Sequence, residues 1–531
     1  MRNLKWMKKT AAVLMAAALM SGTAAWTGAG FVTEVQAAAP TIDMNQKGTL
    51  SVYKYDQDQK ENKPLQGAGY SLYKVMSLAQ DNLTNKYTYT PVPAFAKVLK
   101  GVTADALEGY SAQQIEALAT ELEKVSKGNE TSHGEIITGP DGKAEFTDLE
   151  LGYYLVVETT VPSGYMVTGN PFLVALPQTS ADGSTWEYAV TAKPKNQNIS
   201  IDKKIDTTAK EENEISKDGT AAVGDYVPYQ ITTKIPGYDN PIFADCAVKF
   251  TITDVMSDGL KAVNDPTHPV KVMVGTQEAV KDRDYTLTIN EAATGKTPDL
   301  TVEFKSDFLK GTGANQDVTV TYFAQVTDQA VAGMAGNTNK PYLDFTNKPG
   351  QDTGHIEGPK DVKVYTFDIN VVKFTKEDGQ KALEGAKFEL HKNAPDGDLV
   401  QTEKTSGTNG ELSFEKLDEG VYYLVETKAP NGYTLLANPI KVEIIANKNS
   451  DIATDGSFTL KINDKEITET TGQYISYKDQ TNGDSVIAVE NHKGFSLPAT
   501  GGMGIVLFLA VGITGIAVVS FLLTRKSKET K

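Results

Sequence analysis

Much of this chain consists of short runs in which apolar and polar residues alternate one for one. Val318-Thr319-Val320-Thr321-Tyr322 and Tyr285-Thr286-Leu287-Thr288-Ile289 are two of them, and Gly, Pro, Asn and Asp punctuate the intervals. Alternation with period two puts successive side chains on opposite faces of a strand, one face for a core and one for water. Runs this short, with turn residues at this spacing, predict an all-β chain of stacked antiparallel sheets. One segment has a different period. Ser111-Ala112-Gln113-Gln114 is a capping-box pattern, and Ile115, Leu118, Leu122 and Val125 follow at helical spacing. This predicts a short helix from about 112 to 126, ending before Gly128 and inserted between strands.

The chain repeats itself. Gly152-Tyr-Tyr-Leu-Val-Val-Glu158-Thr-Thr-Val-Pro-Ser-Gly-Tyr165 matches Gly420-Val-Tyr-Tyr-Leu-Val-Glu426-Thr-Lys-Ala-Pro-Asn-Gly-Tyr433, and Leu65-Gln-Gly-Ala68 matches Leu383-Glu-Gly-Ala386. The first and last domains, residues 39–193 and 361–495, therefore share one fold. A different β-domain, residues 194–360, lies between them. Its edges are the turn-rich Lys193-Pro194-Lys195-Asn196 and Asn347-Lys-Pro-Gly-Gln-Asp-Thr-Gly354.

Both ends read as processing segments. Arg2, Lys5, Lys8 and Lys9 precede a small, apolar stretch from Thr10 to Trp26, and Val35-Gln36-Ala37 offers a small-x-small cleavage site. Residues 1–38 are thus a secretory signal peptide. At the other end an apolar run from Ile505 to Leu523 is long enough to cross a membrane, and Arg525, Lys526 and Lys528 follow it. The formal net charge of -16 argues against nucleic acid as a partner. The single cysteine, Cys246, cannot form an internal disulfide and reads as a small buried hydrophobe. An exported chain without disulfides must find its stability elsewhere.

Three apolar strands contain polar or charged residues that do not belong there. In Phe367-Asp-Ile369-Asn-Val371-Val372-Lys373-Phe374, alternation puts Lys373 on the face of Ile369 and Val371. Glu426 interrupts the apolar Tyr-Leu-Val run, and Asn491 ends Val486-Ile-Ala-Val489-Glu-Asn491. Burial lowers a lysine pKa and raises a glutamate pKa. A neutral amine beside a carboxamide can attack it, and a protonated acid can shuttle protons as ammonia leaves. The product is a Lys–Asn isopeptide bond, with Glu426 as its catalyst.

These residues resemble the Cna B-type domains of Gram-positive surface proteins. Lys373 opens a Lys-Phe-Thr-Lys-x-Asp stretch, Glu426 sits in a Glu-Thr-x-Ala-Pro-x-Gly-Tyr box, and Asn491 lies in the last strand. The middle domain resembles the Cna A-type or pilin middle domain, which implies Lys203 and Asn347 as the bonded pair and Asp254 as the catalytic acid. Lys204 falls on the outward face. In the first domain, aligning Lys54-Tyr-Asp56 with Lys376-Glu-Asp378 puts Ser51 where Lys373 stands. The acid, Glu158, is kept and the nucleophile is not, so no isopeptide bond of the usual kind is expected there; Lys54 would need a different geometry. The resemblance implies three tandem Ig-like or Cna-type β-sandwiches.

Leu497-Pro498-Ala499-Thr500-Gly501, placed just before the span, resembles the LPXTG signal that sortases cut between Thr and Gly. Trp186-Glu-Tyr-Ala-Val190-Thr-Ala192-Lys193-Pro194-Lys195 resembles the W-x-x-x-V-x-V-Y-P-K motif of backbone pilins, with Ala192 and Lys193 as departures. The resemblance implies Lys195 as the intermolecular acceptor, with Lys193 as an alternative, and Thr500 as the acyl donor. The chain is then a major pilin of a sortase-assembled pilus linked to the cell wall, its precursor held in the membrane through 505–523. Implied partners are a class C-type pilin sortase, identical subunits, minor pilins, peptidoglycan through a housekeeping sortase, and host matrix. The alternative is a minor pilin or a singly anchored adhesin, which needs no acceptor lysine. His133, His268, His355, His391 and His492 show no metal-ligand spacing, and no Gly-x-Ser-x-Gly or phosphate loop is present. No enzyme activity, cofactor or metal is expected beyond autocatalytic bond formation.

Overall fold

The computed structural model describes residues 41–494, apart from segments at 57–62, 82–85, 104–105, 108, 129–132, 168–169, 181–183, 195, 210–214, 291–297, 360, 378, 468–473 and 479–484. The described chain is all-β, with few short helices. Its contacts group into two compact units. One runs up to Ala209 and includes Pro228–Gln325 and Thr338–Val362; the other comprises Lys210–Val227, Val326–Asn337 and the chain from Lys363 onward.

The first unit holds two sandwiches. In the N-terminal one, the strand Gly48–Tyr53 sits between Ala189–Ala192, which pairs with it in parallel, and the antiparallel Lys143–Leu149. The facing sheet runs Phe172–Leu176, Gly152–Thr160, Gly69–Gln80, Tyr87–Pro91, with His133–Ile137 also on Gly69–Gln80. Leu50, Val52, Tyr70, Phe146, Tyr154 and Val174 fill the space between the sheets. Gly152–Thr160 has six consecutive buried residues because its outer face is covered as well. The cover is the helix Ala112–Ser126, whose Ala119 and Leu122 join the cluster containing Tyr153 and Leu155. Its capping box is complete: the Ser111 hydroxyl accepts from Gln114 N, and the Gln114 side chain accepts from Ser111 N.

The middle sandwich places Ile201–Ile205, Tyr226–Lys234, Asp317–Val326 and Lys271–Val274 in one sheet. The other sheet runs Tyr285–Ile289, Leu300–Phe304, Phe250–Met256, Asn337–Phe345, Gly354–Glu357. Lys203 faces inward between Ile201 and Ile205 while Lys204 faces outward, as alternation requires. Cys246 is half-buried, less so than expected, with its thiol 3.5 Å from the Phe243 carbonyl oxygen.

The second unit repeats the N-terminal arrangement. Phe367–Thr375 lies between the parallel Ser485–Glu490 and the antiparallel Glu411–Leu417. The facing sheet runs Leu399–Thr405, Lys387–Lys392, Gly420–Lys428, Ile440–Asn449, Ile452–Ile462. In both copies the parallel pairing sets the first strand beside the last, so the chain enters the sandwich at one end of that pair and leaves at the other.

A tight turn supports each first strand. Gly410 has φ +80°, and a Cβ there would lie 2.3 Å from the Lys373 carbonyl oxygen. Gly142 has φ +74°, with a Cβ position 2.4 Å from the Lys54 carbonyl oxygen. Left-handed backbone and close approach both demand glycine. Gly410→Ala is expected to destabilise the last sandwich by about 1–3 kcal/mol and lower its thermal unfolding midpoint; an unchanged midpoint in calorimetry contradicts this.

Candidate functional site

The last sandwich assembles its three expected residues in one apolar pocket. Lys373 Nζ donates to the Asn491 carboxamide oxygen and, at 3.0 Å, to the Val489 carbonyl. Asn491 Nδ2 donates to Glu426 Oε1 at 2.9 Å, and Lys373 Nζ lies 3.7 Å from the same carboxylate. The other Glu426 oxygen accepts from Leu436 N at 2.8 Å, which fixes the carboxylate. All three residues are buried. Burial pushes Lys373 down to about 8, against the opposing pull of Glu426. Amine, carboxamide and proton carrier therefore touch one another in a dry site.

The N-terminal sandwich holds the same set, which the sequence reading did not expect. Lys54 Nζ is 2.7 Å from Asn196 Oδ1 and 2.8 Å from Glu158 Oε2, and Asn196 Nδ2 donates to Glu158 Oε1 at 3.0 Å. Burial lowers the Lys54 pKa, with Glu158 opposing. The backbone shows that Lys54, not Ser51, is the counterpart of Lys373. Lys54 N donates to Gly142 O and Lys54 O accepts from Leu65 N; Lys373 does the same with Gly410 and Leu383. Ser51 is only half-buried, and its hydroxyl lies 3.4 Å from Glu145. The local Lys-x-Asp match misled, because the N-terminal strand stops at Tyr53 while its counterpart continues to Thr375. Counting back from the shared Leu-x-Gly-Ala box by the ten residues that separate Leu383 from Lys373 lands on Tyr55, with Lys54 the adjacent lysine.

The middle sandwich brings Lys203 and Asp254 together but leaves Asn347 elsewhere. Lys203 Nζ is 2.5 Å from Asp254 Oδ1 and lies against the rings of Tyr229 and Tyr322, 4.8 and 5.4 Å from their centroids. Tyr322 donates its hydroxyl proton to Asp254 Oδ2, and Asn339 Nδ2 donates to Tyr322 Oη at 3.1 Å. Asn347 instead accepts from the Thr353 hydroxyl at 3.0 Å through Oδ1, and its carbonyl accepts from Val167 N. Eight residues of near-extended chain separate Asn347 from Asn339, about 26 Å. Asn339 is the carboxamide at this site: it is fully buried, and its Oδ1 has no partner among the described residues. The usable signal was parity, since Asn339 shares the inward face with Leu343 and Phe345 inside the strand. Burial pushes Lys203 down to about 8, with Asp254 opposing.

A second acid was not foreseen. Asp299 is buried near this cluster, accepts from Met256 N at 2.7 Å and is pushed up to about 6 by burial and then by Asp254. Lys195, residues 497–501 and the span 505–523 lie outside the described residues. Of Lys195's neighbours, Lys193 is exposed, while Asn196 is buried and begins the strand Asn196–Asn198, paired with Tyr165–Val167.

Comparison with known proteins agrees with this architecture. Residues 48–194 and 370–458 match the SpaA prealbumin-like fold domain, and 223–349 match the Cna-B-like domain of the Gram-positive pilin backbone subunit 2, where the sequence pointed to a Cna A-type domain. The chain is 26% identical to the fimbrial subunit type 1 of Actinomyces viscosus, over 92% of this chain and 94% of that one. Its fold is similar to that of the full-length major pilin SpaD from Corynebacterium diphtheriae, with TM-score 0.52 and 23% identity, covering 86% of this chain and 99% of that one. The T6 backbone pilin of serotype M6 Streptococcus pyogenes gives TM-score 0.54 and 18% identity, covering 86% and 95%. The chain carries the domains of a Gram-positive pilin backbone subunit.

The lysine environment makes a titration prediction. In an Asn491→Ala protein, which has no carboxamide at this position, Lys373 is expected to be an ammonium below about 8 and a free amine above it. An ordinary lysine stays charged to beyond pH 10. Side-chain nitrogen NMR across that range checks this, and a Lys373 midpoint above 10 contradicts it.

Proposed function

We propose that this chain forms the shaft of a sortase-assembled pilus, Thr500 of one subunit being joined to Lys195 of the next, and that each of its three sandwiches closes with a Lys–Asn isopeptide bond. The bonded pairs are Lys54–Asn196, Lys203–Asn339 and Lys373–Asn491, with Glu158, Asp254 and Glu426 as their acids. The observation that carries the reading is the threefold recurrence of a buried lysine against an acid and an asparagine. A buried ion pair offers little net stability over apolar packing, so three of them in one chain call for another role. The chemistry needs a neutral amine, and burial favours one at each site.

In each case the lysine lies in or just after the first strand of its sandwich and the asparagine in or beside a strand near its end. On the chain-entropy model used for disulfides, loops of this length are worth roughly 4–5 kcal/mol each. Unlike disulfides, such bonds are not reducible, which suits an exported fibre with a lone cysteine. Three modules, with boundaries near 193 and 360, fit this pattern of closure. The polymerisation step rests on the two motifs at Lys195 and Leu497–Gly501, cut by a pilin-type sortase, with peptidoglycan as the final acceptor.

Intact mass of the purified ectodomain is expected to fall short of the sequence mass by three ammonia molecules. Lys54→Ala, Lys203→Ala and Lys373→Ala should each restore one; Asn339→Ala should also restore one, and Asn347→Ala none. A full sequence mass for the parent protein refutes the crosslinks. In cells, Lys195→Ala should abolish the high-molecular-weight ladder of covalent polymer, while Lys193→Ala leaves it. A ladder unaffected by Lys195→Ala refutes the polymer reading and favours a singly anchored surface protein.

A further inference from the structure

The middle sandwich differs from the other two in how its acid meets its carboxamide. Glu158 and Glu426 each accept directly from the asparagine nitrogen, at 3.0 and 2.9 Å. Aspartate is shorter by one methylene. In the middle sandwich Asn339 Nδ2 instead donates to the Tyr322 hydroxyl oxygen at 3.1 Å, and that hydroxyl donates onward to Asp254 Oδ2. Asp254 Oδ1 holds Lys203 Nζ at 2.5 Å. Lysine, aspartate, tyrosine and asparagine thus form one continuous chain of hydrogen bonds. All four side chains are buried.

We propose that Tyr322 is a catalytic residue of the middle sandwich, relaying a proton between Asp254 and the departing nitrogen of Asn339. This rests on the reading that Lys203 and Asn339 condense. The ammonium of Lys203 gives one proton to Asp254, and the neutral amine attacks Asn339 Cγ to form the Cγ–Nζ bond. Nδ2 takes the Tyr322 proton as the Cγ–Nδ2 bond breaks, and Tyr322 recovers a proton from Asp254 Oδ2. Ammonia leaves. The attacking nitrogen sheds its surplus proton to Asp254, which ends protonated beside the new amide. No oxidant or other co-reactant is required. Where glutamate does the work of one group at the other two sites, aspartate and tyrosine divide it here.

Tyr229 supplies the control. Its ring stacks on Tyr322 with centroids 5.6 Å apart, it is equally buried and its hydroxyl lies close to Asn339, but of the two hydroxyls only that of Tyr322 hydrogen-bonds Asp254. Tyr322→Phe and Tyr229→Phe therefore remove one oxygen each from the same aromatic pair. Bond formation is followed by intact mass after a pulse of cell-free synthesis. Tyr322→Phe is expected to slow loss of the middle ammonia on the order of a hundred-fold, the usual weight of general acid–base catalysis. Tyr229→Phe should leave that rate near the parent's. Equal rates in parent and Tyr322→Phe overturn the relay, and so does equal slowing in both variants, which would mark a packing effect. Loss of the other two ammonia molecules verifies folding of the N-terminal and last sandwiches within the same spectrum, and the Tyr229→Phe variant controls for packing in the middle one. Should Tyr322→Phe not fold, 3-fluorotyrosine at position 322 keeps the shape and makes the hydroxyl more acidic; a shifted rate supports the relay and an unchanged one overturns it. A parent protein that loses no ammonia at all refutes the crosslink reading instead.

Discussion

An ammonium group taken out of water and surrounded by aromatic and aliphatic side chains is costly unless something compensates it. Among the described residues this cost is accepted three times, at Lys54, Lys203 and Lys373. Each compensation has the same form: one carboxylate within 2.5–3.7 Å and one asparagine in the same hydrogen-bonded group. The environment that makes the charge expensive also favours the uncharged amine, and only the uncharged amine is a nucleophile. For the proposed condensation, burial supplies the form of the lysine that can react.

The fold sets up these encounters through parallel closure. In the N-terminal and last sandwiches the first strand pairs in parallel with a late one, Val52 opposite Ala192 and Lys373 opposite Val489. The asparagine follows shortly after that late strand and meets the lysine from the side. The middle sandwich uses a different route. Its lysine comes from an edge strand of one sheet, its acid from the centre of the other, and Tyr322 from the first sheet bridges to Asn339 in the second. The acid is shorter there, and the tyrosine makes up the reach.

The architecture and much of the clustering of buried polar side chains could be read from the chain. Period-two alternation marked the strands, the Ser111–Gln114 box marked the helix, and an inward lysine in an apolar run marked two of the three sites. The failures have physical causes. Lys54 follows the end of its strand, so alternation does not point to it, and a three-residue match at Lys-x-Asp outweighed the better anchor in the Leu-x-Gly-Ala box. Asn347 was chosen for its place at the end of the domain, whereas the strand register sets Asn339 opposite Met256, two residues from Asp254. Tyr322 and Asp299 carried no signal of their own, because an inward tyrosine looks like any core residue and Asp299 lies outside an alternating run. Cross-sheet partners depend on register, and register is settled by pairing rather than by either strand alone.

Joining first strand to last changes what a pulling force meets. Without the bond, tension loads only the hydrogen-bonded ladders; with it, tension is carried by a covalent link and the hundred-odd residues inside the loop bear none. The most direct measurement is single-molecule stretching of the ectodomain held at its two ends. The account predicts no stepwise lengthening from any of the three sandwiches, and the appearance of one long extension step each in Lys54→Ala, Lys203→Ala and Lys373→Ala. Three unfolding steps in the unmodified protein would contradict it.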